Sequence, residues 1–171
     1  NPQKPFGNKG NANRFNTKVQ DFSRRSLNTR REGGIITTAA VLTMTSTPLR
    51  TSPIKRGAWV ATVVFNKPPP PPPDVVPEIE EDDAAIAATG LTIRERLKDH
   101  AAKQSCASCH AKIDPFGFVL ENYDPVGRWR DKYRGGLPVD ASGKLFGEDE
   151  FDNIVEFKDA ILARPEEFMR G

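Results

Sequence analysis

Two stretches in the second half of the chain alternate apolar and polar residues with the period of an α-helix. The first follows Thr92 and the second follows Asn153. Their apolar faces are formed by Ile93, Leu97 and Ala101, and by Ile154, Phe157, Ile161 and Leu162. In each stretch a residue that can cap a helix is followed three positions later by a glutamate, Glu95 or Glu156, which is the capping-box pattern. The pattern therefore predicts two amphipathic helices, and Pro165 either ends the second or opens another turn.

The rest of the chain shows no clear period. The run AWVATVVF after Gly57 is apolar throughout, and it fits two helical turns or one buried strand equally well. Before it, residues 33–56 mix β-branched residues with alanine, which predicts irregular structure or a short strand. Residues 114–151 are rich in turn-forming pairs such as Asp114-Pro115 and Ser142-Gly143. The expected fold class is mainly α with much irregular structure.

A run of six prolines at residues 68–73 interrupts the chain. Proline has a fixed φ and no backbone donor, so the run predicts a polyproline II segment. We interpret it as a stiff spacer, with a docking site for a proline-binding module as the alternative. The predicted parts are a basic arm at 1–33, extended or ordered by a partner, a small segment at 34–66, a polyproline and acidic linker at 67–89, and a domain at 90–171. We expect the spacer to tether the small segment, which would pack against a partner.

The charge distribution is uneven although the net charge is only +2. Residues 1–31 hold eight Lys or Arg and one Asp, so the basic arm is either solvated or docked on an acidic partner in an assembly. The small net charge gives no argument for nucleic acid as a partner. No apolar run reaches the roughly 18 residues that a transmembrane helix needs. The start lacks the apolar core of a signal peptide, so in an exported protein we expect the signal to be removed or to lie upstream.

The stretch CASCH at residues 106–110 contains both cysteines and one of the two histidines. C-x-x-C-H is the attachment pattern of haem c. Cys106 and Cys109 would form thioether bonds to the porphyrin, because their spacing puts both sulfurs on one side of a helical turn. His110 would be the proximal iron ligand. A structural zinc would leave only His100 as fourth ligand, at a spacing typical of no zinc finger, and a redox dithiol would follow a strand. We therefore expect one covalently bound haem c.

The sixth position of the iron has several candidate ligands. His100 precedes His110 by ten residues, and the five residues between His100 and Cys106 can span up to about 17 Å, enough to reach the other face of a porphyrin. Met44 and Met169 are alternatives, since Met/His and His/His are both common haem ligand pairs. His100 could also be a solvent-facing residue near a helix C-terminus, and a five-coordinate iron is a further alternative.

Aromatic and basic residues follow CASCH closely. Four aromatics are expected to form an apolar wall around the haem: Phe116, Phe118, Tyr123 and Trp129. The same four would also form the core of a small domain. Arg128 and Arg130 could pair with a haem propionate, as guanidinium groups do with carboxylates; the alternative is that both are surface charges.

Two long motifs give the sequence a resemblance to a known family. One is RTSPIKRGAW at residues 50–59, which is followed by the proline run. The other begins at His100 and reads H-x5-C-x-x-C-H-x-x-x-D-P-x-G-F-x-L-E-N-x-D-x-x-G-R-W-R. Over residues 25–171 the chain resembles the C-terminal DUF1588 and DUF1585 regions of large exported planctomycete-type cytochrome c proteins. Family members tend to have L-G-T and L-T-Q where this chain has FNK and IITTAA, so contacts of its first segment are expected to differ.

The resemblance has consequences for the site and for the whole protein. It implies haem c on Cys106, Cys109 and His110, and it makes His100 a better candidate ligand. It implies a DUF1588-like segment at 34–66 and a DUF1585-like, cytochrome c-like haem domain at 90–171. It also implies an extracytoplasmic location, in the periplasm, at the cell surface or secreted. The chain would then be the C-terminal portion, a processed product or a split subunit of a larger polypeptide.

The expected function is electron transfer through one haem c, as part or subunit of a larger extracytoplasmic haem protein. Its partners would be a redox protein or other haem domains of the same or an associated polypeptide. Two alternatives remain: the haem domain of an oxidative enzyme of peroxidase or dehydrogenase type, and a structural subunit of an extracellular cytochrome assembly. The sequence contains no paired catalytic constellation, so we expect an electron-transfer module that is not an enzyme by itself.

Overall fold

The computed structural model of the chain describes residues 26–72, 88–101 and 104–169. Most of the basic arm and the acidic part of the linker lie outside these ranges. None of the helices in the described ranges is long and apolar enough to cross a membrane.

The described chain is mostly helical, with irregular connections and one small sheet. Its first part forms a 3-10 turn at Ile35–Thr37, α1 at Ala39–Met44 and α2 at Pro53–Trp59, which a π-helical turn at Val60–Val64 continues. Its second part forms α3 at Ile93–Ala101, α4 at Gln104–Phe118, β1 at Gly143–Leu145, β2 at Asp149–Phe151, α5 at Ile154–Leu162 and α6 at Pro165–Met169. The expectation of a mainly α fold with much irregular structure is confirmed. The apolar run after Gly57 is helical.

The single described sheet is an antiparallel hairpin of β1 and β2. Gly143 pairs with Phe151, and Leu145 pairs with Asp149. Gly143 leaves room for the Phe151 ring, since an added Cβ would stand 2.7 Å from the ring edge. The hairpin thereby carries Leu145 and Phe151 into the core.

The capping box predicted at Thr92 is confirmed. Asn153 caps α5 as predicted, but there the return hydrogen bond to Glu156 Oε2 comes from the Asp152 N–H, at 2.7 Å. At α3, the Glu95 backbone N–H donates to Thr92 Oγ1 at 3.2 Å, and the Thr92 N–H donates to Glu95 Oε2 at 2.8 Å. The hydrogen bonds that the Thr92 N–H and hydroxyl donate to Glu95 Oε2 lower the pKa of Glu95. At α5, Asn153 Oδ1 accepts from the Glu156 N–H at 3.1 Å. Pro165 opens α6, one of the two outcomes expected for it.

The turn predicted at Asp114-Pro115 is wrong, because α4 continues through both residues to Phe118. Pro115 has no N–H to donate to the preceding turn. The helix continues nevertheless, and the Val119 N–H donates to Pro115 O at 3.3 Å. Phe116 and Phe118 are both buried, so packing of this last turn outweighs the missing hydrogen bond.

The main hydrophobic core takes residues from both sides of the proline run. Leu42, Val60 and Phe65 come from the first part, and Phe116, Leu120, Leu145 and Phe157 come from the second. The segment at 34–66 is thus packed against the C-terminal part as well as joined to it in sequence. Whether it also packs against a partner, and where the domain boundaries lie, stay predictions.

Two glycines allow the backbones of α2 and α4 to come into direct contact. A Cβ added to Gly57 would stand 2.0 Å from Ile113 O, and one added to Gly117 would stand 1.9 Å from Pro53 O. Real Cβ atoms do not approach an oxygen so closely, so only glycine fits at either position. This contact fixes α4, the helix that carries CASCH, against α2.

Candidate functional site

Cys106, Cys109 and His110 all lie on α4. Their spacing of three and four residues puts the side chains on one side of the helix. Both cysteines are half-buried and neither is in a disulfide, whereas His110 is buried, with 9% of its surface exposed. The two thiols and the imidazole thus lie on one helix.

Asp114, one helical turn after His110, orients the imidazole. Its Oδ1 lies 2.9 Å from Nδ1 of His110. Histidines that bind a metal commonly give their other ring nitrogen to such a carboxylate, which fixes the tautomer and the ring plane. With Nδ1 directed at Asp114, Nε2 is the nitrogen that would bind iron.

His110 borders a cleft of about 290 Å³ between α3, α4 and the start of β1. Its lining residues are Arg94, Leu97, Lys98, Ala107, His110, Ala111, Asp114, Pro115, Phe118, Ser142 and Gly143. The guanidinium of Arg94 lies over the Phe118 ring, 4.1 Å from its centroid, and donates to Ser142 O at 2.7 Å. The cleft therefore combines apolar walls with two basic residues, Arg94 and Lys98.

Of the four aromatics predicted to form a haem wall, Phe118 lines this cleft. Phe116 lies in the main core, with its ring centroid 5.2 Å from that of Phe65. Tyr123 and Trp129 pack edge to face at 5.3 Å in another cluster, where Arg31 covers the Trp129 ring. The structure does not bring these three to the His110 cleft, and their part in a haem wall stays a prediction.

The two arginines predicted to pair with a propionate have carboxylate partners in the chain. Arg128 is exposed and its Nε donates to Asp124 Oδ2 at 2.7 Å. Arg130 is largely buried and donates to the carboxylate and the carbonyl oxygen of Glu121. Neither lines the His110 cleft, where Arg94 and Lys98 are the basic residues.

None of the three candidates for the sixth ligand is seen at the His110 cleft. Met44 is 64% exposed and Met169 is 77% exposed, and neither lines the His110 cleft. The backbone of His100 belongs to α3, but its side chain lies outside the described part of the chain. The identity of the sixth ligand stays a prediction.

A buried ionic network supports the end of α4. Arg56 of α2 is fully buried, and its Nη1 donates to Leu120 O at 2.7 Å and to Tyr123 O at 2.8 Å. Glu121, also fully buried, accepts from Thr51 Oγ1 at 2.6 Å and from Arg130 at 3.1 Å. Burial lowers the pKa of Arg56, and the negative charge of Glu121 offsets part of this decrease. The network joins the segment before the proline run to the chain that follows α4.

Several of these residues were not recognised in the sequence. Asp114 carried a usable signal, because a carboxylate four residues after a histidine shares its helix face. Arg94 lies two positions after the helix cap Thr92, and nothing in the sequence distinguishes it from an exposed surface charge. Arg56 and Glu121 are 65 residues apart, so their pairing has no local signature.

The residue types that attach haem c lie together on α4, but neither Cys106 nor Cys109 lines the His110 cleft, and haem c stays a prediction. Covalent attachment needs two thiols and an imidazole on one turn of chain, and α4 presents all three, with the imidazole held through Nδ1. Among the described residues there is no group of three or more His, Cys, Asp or Glu side chains placed to hold a bare metal ion.

The fold and site define a small helical protein. Its cysteine-histidine motif lies on α4, which packs against α2 from the first part of the chain. The chain matches the family model PSCyt3, described as a protein of unknown function (DUF1588), over residues 31–133. The match covers more than half of the chain, and the chain belongs to this family. The matched range includes α2 and the whole of α4, so the contact between these helices and the CASCH motif both lie within the family region. The resemblance of 90–171 to DUF1585 stays a prediction. Comparison with the curated proteins and with the solved structures finds no match.

Proposed function

We propose that this chain carries one haem c on Cys106 and Cys109, with His110 as axial ligand, and that it transfers single electrons. The observation that carries the proposal is the C-x-x-C-H motif on one helix with His110 Nδ1 held by Asp114. The family name, which points to cytochromes, supports the same role.

Each residue of the site has a distinct task in this proposal. The thiols of Cys106 and Cys109 attach the group, and His110 presents Nε2 to the iron. Leu97 and Phe118 would exclude water on the α3 side. Haem supplies a one-electron ferric/ferrous couple when it is bound.

The basic residues at the cleft suit the acidic edge of a haem. Arg94 is held by Ser142 O and Asp140 O, at 2.7 and 3.0 Å. A guanidinium fixed in this way can donate hydrogen bonds to a carboxylate without losing further side-chain freedom. We propose Arg94 and Lys98 as further candidates to meet the propionates, beside Arg128 and Arg130. Arg94, like those two arginines, also has a carboxylate partner in the chain, Asp140, at 3.1 Å.

The rigid support of α4 favours electron transfer. Gly57 and Gly117 hold α2 and α4 in backbone contact, and Arg56 fixes the carbonyls that follow α4. An iron ligand on such an element keeps its position when the iron changes charge. The electron would pass to a redox protein or another haem domain, outside the cytoplasm as the family resemblance implies.

The experiment is to produce the exported chain together with a cytochrome c maturation system and to compare it with a Cys106→Ala/Cys109→Ala double variant. Wild type should show covalent haem after denaturing electrophoresis and a reversible one-electron titration, and the double variant should show no covalent haem. Ser108→Ala is the matched control, because Ser108 is exposed between the two cysteines. Absence of covalent haem in the wild type would overturn the proposal. Spectral changes with carbon monoxide or cyanide would favour the oxidative enzyme instead.

A further inference from the structure

The contact between His110 and Asp114 is a specific feature of the site. Nδ1 of His110 lies 2.9 Å from Asp114 Oδ1, and only 11% and 20% of the two side chains are exposed. Both residues belong to α4, so the helix itself sets the distance. A contact of this kind, largely out of water, is stronger than one at the surface.

Two basic side chains share the cleft with Asp114 and His110. They are the guanidinium of Arg94 and the ammonium of Lys98. An ionised carboxylate only accepts hydrogen bonds. The neutral imidazole must therefore carry its proton on Nδ1 for the pair to form.

We propose that Asp114 is a positioning residue, which holds His110 in the Nδ1–H tautomer, leaves Nε2 as the unprotonated nitrogen and makes the imidazole a stronger electron donor. The effect on the tautomer is a property of the chain itself. The effect on the iron rests on the proposed function: a more basic ligand stabilises the ferric state and lowers the reduction potential. Replacing the carboxylate by a neutral group should raise that potential.

The first test uses the full chain, produced without haem attachment and labelled with 15N-histidine. The chain has only two histidines, so a His100→Gln variant assigns the signals. At alkaline pH, where the imidazole is neutral, wild type should show His110 mainly as the Nδ1–H tautomer. Asp114→Ala should shift it to the Nε2–H tautomer, and Asp114→Asn, which keeps an acceptor oxygen, should largely retain the wild-type tautomer. Identical spectra for wild type and Asp114→Ala would overturn the proposal.

The second test is the reduction potential of the haem-loaded chain. Asp114→Asn should reduce the ferric-to-ferrous ratio at a fixed applied potential about tenfold, which for one electron is a rise of about 59 mV. Asp152→Asn is the control, because it removes the same charge from an exposed residue and should leave the potential unchanged. Equal potentials for wild type and Asp114→Asn would contradict the effect on the iron while leaving haem attachment intact. If the wild type bound no haem, the proposed function would fail, and the tautomer experiment would still decide the role of Asp114.

Discussion

Nη1 of Arg56 lies 3.4 Å from Oε1 of Glu121, and both side chains are completely shielded from solvent. The two residues come from the two motifs that identify the family, RTSPIKRGAW and the long motif that contains CASCH. Arg56 also donates to backbone carbonyls just after α4. The motifs therefore meet in one buried network, whose structural effect is to fix the helix that bears His110.

Replacing Arg56 should strongly destabilise the fold. Arg56→Met removes one of the two cations that neutralise Glu121. It also removes the guanidinium donor of four carbonyl oxygens, those of Leu42, Leu120, Tyr123 and Asp124. We expect a loss of about 3 kcal/mol or more in the free energy of unfolding, measured by urea denaturation. Arg128→Met is the control, since the exposed pair of Arg128 with Asp124 should contribute about 1 kcal/mol at most. Similar losses for the two variants would show that the buried network is not important for stability.

The close contact of α2 and α4 should tolerate no side chain at Gly117. Gly117→Ala puts a Cβ 1.9 Å from Pro53 O, so the two helices must separate. We expect a loss of at least about 2 kcal/mol, although alanine is the better helix former. Ser108→Ala, on the exposed side of the same helix, should change stability by less than about 0.5 kcal/mol. A Gly117→Ala protein as stable as wild type would contradict this packing.

Tyr123 should make the fold sensitive to alkaline pH. Burial, together with the charge of Glu32, raises the pKa of Tyr123 from its usual value near 10 to about 12. The folded chain thus holds the phenol proton more tightly than the unfolded chain, so this contribution is complete below pH 10 and is lost as the pH rises to about 12. It amounts to about 3 kcal/mol at most, on the scale of about 1.4 kcal/mol per pKa unit.

The measurement is the free energy of unfolding as a function of pH. Between pH 9 and pH 11.5, Tyr123→Phe should lose less stability than wild type, because phenylalanine has no proton to release. The other tyrosine, Tyr133, also has its pKa raised by burial and by Glu121, so it should not titrate in this range while the protein is folded. Parallel curves for wild type and Tyr123→Phe would refute the assignment.

Local signals in the sequence predicted two helix starts correctly but missed α1 and the start of α2, which lie where irregular structure or a short strand is expected. The capping residues Thr92 and Asn153 marked the starts of α3 and α5, because a cap and its glutamate act within one turn. The same reasoning failed at Pro115, where a turn signal was outweighed by burial of the two neighbouring phenylalanines. Local chemistry predicts an element correctly only where tertiary packing does not oppose it.

Long-range contacts could not be predicted from the sequence. Arg130 resembled a surface charge or a propionate partner, but the structure places it on Glu121, together with Thr51 from the far side of the proline run. The four aromatics that follow CASCH are expected to form one wall, yet they divide between the His110 cleft, the main core and the Tyr123–Trp129 cluster. Which residues meet across such separations is decided by the packing of α2 against α4, and no short pattern encodes that packing.

The central claim is the covalent haem on α4, and one measurement tests it most directly. A pyridine haemochrome spectrum of the matured chain, combined with its intact mass under denaturing conditions, reports the type of haem and its attachment together. A chain that carries haem c should show the haemochrome bands of a haem attached through two thioether bonds. Its intact mass should be increased by the mass of one haem. A mass equal to that of the polypeptide alone, with no haemochrome bands, would contradict the central claim.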